Sequence, residues 1–489
     1  MLAMYSDEHG NVLTAASQEA AAAYGTALDH LLHFRPEVTE ALDAALAADP
    51  SLAMGVALQA YLGILGTEPD DAAAARAALD DFERSVDPGR LQTREHAHLA
   101  AARALVDGDW YTGSRVLRDL VVEHPRDALA LVVGHQTDFF TGDAVALRDR
   151  IGSALHAWSP LDRHYGPVLG MYAFGLEEAG QYDQAAEVGH EAVERDARDV
   201  WGVHAVVHTY EMQARFGDGL RFLDAGGQNW QDGNFLTVHN WWHYCLYLLE
   251  AGDSVRPLEI YDAVLHNAAS QGVAMEMLDA AALLWRLYLE GEDQTARWTL
   301  LADAWDAKVP TPHYAFNDMH AVMAYAGAGR LADARRLVQD RARWAAEQGA
   351  AAGGPPGAAG SSVTNVAMTR DIGVPVCSAL LAFAEARYDE TVQTLLPLRY
   401  AVNRFGGSHA QRDAVQRTLL EAALRSGRLP LARALVSERL GVRACSPYNW
   451  LKQAALARAV GDSAAAAAAV TRADQLQRVG GATRGPGPG

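Results

Sequence analysis

Cysteine is scarce in this chain, and that removes two classes of small fold at once. Only Cys245, Cys377 and Cys445 occur in 489 residues, with no Cys-x-x-Cys pair, so neither a disulfide framework nor a zinc ribbon is available. Positive charge is short too. The 41 Lys and Arg face 61 Asp and Glu, a formal charge of −20, which argues against nucleic acid and membrane as partners, because a phosphate-binding surface needs a basic face. Met1 to His9 lacks the basic start and apolar run of a signal peptide, and no uninterrupted apolar stretch reads as long enough to cross a bilayer. These absences set the expectation of a cytoplasmic protein.

What is abundant is alanine, inside a sequence that is half apolar and has few β-branched runs. With charges at helical spacing, that composition specifies an all-α chain. Its length exceeds one compact core, leaving several domains or one long array. Ala100 to Trp110 decides for the array: a helix ends at Gly108, an aromatic opens the next, and Pro125 stops it. Comparable breaks fall at Gly142, Gly180, Gly217, Gly252, Gly291, Gly329, Gly427 and Gly461, at intervals of about 34–39 residues, the spacing of tetratricopeptide repeats. The expected fold is a tetratricopeptide-like solenoid over residues 17–476, with about a dozen helix pairs. An N-terminal segment 1–16 precedes it and a disordered glycine-rich tail 477–489 follows. The Gly/Pro-rich run 349–362 is expected to be a flexible loop, either a tolerated insertion or a lid.

Two histidine pairs repeat in register. His204 and His208 recur 35 residues later as His239 and His243. Within each pair the i,i+4 spacing stacks both rings on one helix face, and neighbouring repeats set equivalent helices side by side, about 8–10 Å apart. Counting back nine residues from Gly217, Gly252 and Gly329 lands on His208, His243 and His320, and Cys377 holds the same register before Ala386. First helices line the concave face of such a solenoid, so these side chains are expected in one groove, with Glu211 one turn beyond His208. Three chemistries fit. Neutral imidazoles from His204, His208, His239 and His243 can converge on a divalent transition metal. His204, His208, Glu211, His239, His243 and His320 can serve as acid–base catalysts. Alternatively, the rings simply pack between helices.

Aromatic residues crowd the same region. Trp242 and Tyr247 are candidates to stack on a ligand, although a stripe at helical spacing is also how a core is built. Farther on, in Gly406 to Asp413, Ser408 and Gln411 form a capping box. His409, Gln411, Arg412 and Asp413 then join Arg399 as a candidate anion-binding set at a helix start, with an Arg412–carboxylate pair inside the solenoid as the competing reading.

The blocks HAVVHTYEM, HNWWHYCLYLLEAG, AFNDMH, LLPLRY and GGSHAQRD resemble the tetratricopeptide repeat protein 38 family, found in bacteria and animals, over roughly Ala20 to Asn449. The resemblance implies an all-helical repeat protein and carries over no catalytic assignment. The Gly/Pro-rich run and the glycine-rich tail depart from the family pattern. The resulting expectation is a superhelix enclosing a polar, aromatic-rimmed concave cavity. It would bind a small molecule or peptide, and an enzyme is one outcome. The alternative is a scaffold for a peptide or protein partner.

Overall fold

The computed structural model describes residues 3–351 and 363–480. Over these, antiparallel helix pairs stack from Gln18 to Gly480, the predicted all-α solenoid. Helix starts are fixed by short acidic side chains: Asp109, Asp127, Asp143 and Asp199 each accept a hydrogen bond from the backbone of the first turn. Helix ends are fixed where the chain turns left-handed, at Gly108, Gly142, Gly180, Gly252, Gly291, Gly329, Gly427 and Gly461, all with positive φ.

One break differs from the expectation. The turn before the Phe216–Gly226 helix is made by Ala214, at φ 53°, and Gly217 lies inside that helix. Ala386 plays the same part, at φ 58°, where the sequence has no glycine.

The first segment is a β-hairpin, Ala3–Ser6 paired antiparallel with Val12–Ala15, where only an N-terminal extension was expected. Asp7 turns it by accepting the backbone N–H groups of His9 and Asn11. The hairpin docks when the Thr14 N–H donates to Glu95, at 2.7 Å. The supposed loop at 349–362 also starts later than its composition suggests, because the Leu331–Ala351 helix runs through Gly349; the remainder, 352–362, lies outside the described residues. The Ser463–Gly480 helix likewise extends past residue 477, and the tail from 481 onward lies outside them too. Thr364–Ala384 is one continuous helical stretch long and apolar enough to span a bilayer, contrary to the sequence reading, yet 67% of its most apolar stretch is packed inside the protein. An inner repeat helix covered on several sides needs the same composition as a membrane span.

The superhelix returns on itself. The Trp110 N–H donates to Thr364, 254 residues on; Asn317 donates to Thr67, 250 residues back; and Asn403 donates to the Gly142 carbonyl, 261 residues back. Glycine permits this closure. A Cβ on Gly142 would stand 1.8 Å from the Asn403 carbonyl oxygen, and one on Gly406 would stand 1.9 Å from the Tyr314 hydroxyl. Gly142→Ala is therefore expected to cost more than Gly180→Ala, where φ is also positive but nothing lies within 4 Å. The Gly180 change should cost about 1–2 kcal/mol from its backbone conformation alone, and the Gly142 change about 1–3 kcal/mol beyond that. Denaturant unfolding of the two variants measures the difference.

Candidate functional site

Every residue of the Val200–Met212 helix is buried, because the turn places packed repeats on either side of it. The Asp199 carboxylate caps this helix at the Gly202 N–H, and the Asn234 side chain caps the neighbouring Phe235–Glu250 helix. The 35-residue offset holds in space. The rings of His204 and His239 have centroids 5.0 Å apart, and those of His208 and His243 lie 4.4 Å apart. Within the helices, His204–His208 and His239–His243 stand at 4.4 and 4.9 Å. One nitrogen from each of the four rings lies within 4.8 Å of the others.

The surroundings are dry and aromatic. Phe174 and Trp201 pack on His204, and Trp242 stacks on His239 at 5.1 Å. The four rings are 0–8% exposed. Neither nitrogen of His204, His208 or His243 has a hydrogen-bond partner among the described residues, although buried polar groups are satisfied in well over nine cases of ten. Burial, then the neighbouring imidazoles, holds His204 and His243 well below the ordinary imidazole range, and burial pushes His208 down to about 3. All three are therefore neutral and carry free lone pairs.

Two carboxylates flank the cluster. Asp279, from the Ala274–Glu290 helix, lies 2.7 Å from His239 Nδ1. Glu177, from the Tyr165–Glu178 helix, stands 3.5 Å from His208 Nδ1. Carboxylates behind imidazoles orient the rings and raise their basicity as ligands. Sequence reasoning missed both. Their signal was an acid inside the apolar run 277–284, at Asp279, and an acidic pair just before a glycine break, at Glu177-Glu178.

Glu211 does not complete the cluster as expected. It faces Arg443 at 3.4 Å, and burial pushes its carboxyl up to about 7. His320 also stands apart from the four-ring set, its Nδ1 2.8 Å from the Phe316 carbonyl and its ring against Phe316. Cys377 is buried with Asp318 and Arg341 acting on it. Trp242 belongs to the cluster wall. Tyr247 is a packing residue whose hydroxyl donates to the Val207 carbonyl. A Cβ on Gly219 would stand 2.4 Å from its ring.

The anion clamp does not form. Ser408 and Gln411 make the predicted capping box, but Arg412 donates to Glu178 at 3.1 Å, and His409 donates its backbone N–H to the same carboxylate at 2.8 Å. Arg399 lies elsewhere, against Glu438 and the Tyr400 ring. Asp413 takes Arg417, Arg439 and Arg443 at 2.6–2.7 Å. The block closes the superhelix with paired charges.

No family model matches the sequence, so the tie to the tetratricopeptide repeat protein 38 family stays a resemblance. Tetratricopeptide-like helical repeats are what the architecture shows. Among solved structures, the chain is similar to the human IFIT1 dimer with m7Gppp-AAAA, at 12% identity over 94% of this chain and 89% of that one, with a TM-score of 0.37. It is also similar to Naa15/Naa10 bound to HypK-THB, at 12% identity over 94% and 84%, with a TM-score of 0.22. The expectation that excluded nucleic acid is withdrawn: the first of these proteins was solved with a capped RNA, and a formal charge of −20 does not by itself exclude such a partner. Net charge averages over faces that a partner meets one at a time.

Two predictions follow from these burials. Arg412→Ala removes the arginine from the buried Glu178 carboxylate and leaves it the His409 N–H, so it should cost about 3–5 kcal/mol, read as a lower unfolding midpoint. For the imidazoles the unfolded chain takes up protons below about pH 6.5 that folded His204, His208 and His243 refuse. Stability of metal-free protein contributed by these groups should therefore fall as pH drops from about 6.5 towards 3, and His208→Gln should reduce the slope of stability against pH by about one proton.

Proposed function

We propose that this chain is a helical-repeat scaffold stapled at its centre by one transition-metal ion, held by His204, His208, His239 and His243. One observation carries the reading: four imidazoles, three of them with no hydrogen-bond partner at either nitrogen, each bring one nitrogen within 4.8 Å of the others in a dry interior. Each buried group left unsatisfied costs about 1–3 kcal/mol, and a metal ion is the partner that accepts several imidazole lone pairs at once. Imidazole donors suit zinc, copper, iron or nickel. Asp279, 2.7 Å from His239 Nδ1, supplies the carboxylate that such sites place behind a ligand, while Glu177 stands 3.5 Å from His208 Nδ1 without a hydrogen bond. Four protein donors make a closed centre, the arrangement of a structural ion. Acid–base catalysis by these rings fits less well, since it needs one of them open to substrate.

The scaffold reading complements this one. Helical repeats present extended surfaces to macromolecular partners, and a staple joining adjacent repeats stiffens such a surface.

Elemental analysis of protein made without a histidine tag should find about one ion per chain. Stripping the ion with a chelator should lower the melting temperature, and Zn²⁺ or Co²⁺ should restore it. The double change His208→Gln, His243→Gln should abolish both. Wild-type protein that carries no metal, and whose melting temperature none of Zn²⁺, Co²⁺, Ni²⁺ or Cu²⁺ raises, would refute the proposal.

A further inference from the structure

Trp242, which stacks on His239, also meets an arginine that the metal reading does not use. Arg286, from the Ala274–Glu290 helix, lies over the Trp242 ring at 5.3 Å and is 3% exposed. Its two terminal nitrogens donate to the Ala282 and Ala410 carbonyls, both at 2.7 Å. Its Nε has no partner, and no carboxylate pairs with it among the described residues. A buried guanidinium without a counter-ion is an expensive arrangement, and the usual resolution is an anion.

Arg286 lines a cavity of about 190 Å³ with Glu211, Tyr448 and Arg417. Two other wall groups are equally incomplete: Glu211 Oε2 and the Tyr448 hydroxyl are buried without partners. Two other buried charged groups in the wall are already matched. Arg417 donates to Asp413 and Glu250, and Glu250 also accepts from Ser446 and the Tyr448 N–H. What is left buried and unpartnered in the wall is one cationic donor, one hydroxyl and one carboxylate oxygen, beside the apolar walls of Leu246 and Leu287.

We propose that this cavity binds a free α-amino acid with an apolar side chain. The ligand carboxylate would meet Arg286 and Tyr448, its ammonium Glu211, and its side chain the leucines. The volume is below the roughly 300–1,000 Å³ of drug-sized clefts, which suits so small a ligand. Asp253 and Glu292 add negative charge to the wall, which disfavours a dianion such as phosphate and tolerates a zwitterion. The inference does not depend on the metal.

Isothermal titration calorimetry of the full chain tests it with L-leucine, with 3-methylbutylamine and 4-methylpentanoate, each lacking one of leucine's two charged groups, and with inorganic phosphate. Leucine should bind, each truncated analogue should bind at least about tenfold more weakly, and phosphate should not bind. Tyr448→Phe should weaken leucine about tenfold while thermal unfolding stays close to wild type; Glu211→Gln should weaken it similarly but also lower stability, because it removes the Arg443 pair, and if it fails to fold, Tyr448→Phe decides alone. No binding of leucine, valine, isoleucine, methionine or phenylalanine by the wild type would overturn the proposal. So would an amine or acid that binds as well as the amino acid, or affinity that survives Tyr448→Phe unchanged.

Discussion

Closure of the superhelix is the constraint on which everything else depends. Residues more than 230 positions apart meet through hydrogen bonds such as His409 to Glu178 and Asn403 to Gly142. The inner faces of the first helices therefore meet the opposite wall where an open solenoid would show them water. Repeat proteins usually gain stability from neighbour contacts alone. Here long-range contacts add a second layer, and the concave surface at the histidines becomes interior. Groups that would be ordinary groove residues in an open array become desolvated, with all the consequences that follow for their protons and partners.

The chain handles that desolvation in two ways. Charged groups at the closure are matched: Asp413 holds three arginines, Glu178 holds Arg412, and Glu250 holds Arg417. Burial works to raise the Asp413 carboxyl, but Arg439, Arg443 and Arg417 outweigh it and keep the group well below the usual carboxylate range. Such pairs add little over an apolar core of equal volume, yet each is costly to break singly, so they set the register in which the turns close. His204, His208, His243 and Arg286 are among the groups left unmatched, together with Glu177, Glu211 Oε2 and the Tyr448 hydroxyl. They are as buried as the matched charges and lack their partners, and this contrast singles them out within the same interior.

Much was legible in the sequence because it is local. Helix pairs, most left-handed breaks, the capping box at Ser408 and the shared face of His204 and His208 rest on spacings of a few residues, and their physics acts within one or two turns. The 35-residue repeat carried the juxtaposition of the two histidine pairs, since identical neighbouring units stack with a constant offset. The break assigned to Gly217 failed for an equally local reason: Ala214 accepts the left-handed conformation, and composition does not reveal an alanine that does so. Of the column of His208, His243, His320 and Cys377, only His208 was counted from that break; His320 and Cys377 stand apart from the four rings although the turns they were counted from, at Gly329 and Ala386, are left-handed.

Glu177, Asp279 and Arg286 were beyond such reading. Glu177 and Asp279 belong to different repeats from the rings they serve, Arg286 meets groups from distant repeats in its cavity, and what makes each of them matter is burial, a property of the closed turn. The same holds for Arg412 and Glu211, whose residue types suggested a clamp and a catalyst and whose partners, Glu178 and Arg443, are more than 230 residues away in the chain. The sequence by itself determined the helices, their pairing and the alignment of four imidazoles, because those follow from short-range periodicity. Only the tertiary structure decided which polar groups lose water and which meet an opposite charge, because that depends on how far the superhelix curls, a sum of small rotations between successive repeats that no single repeat encodes.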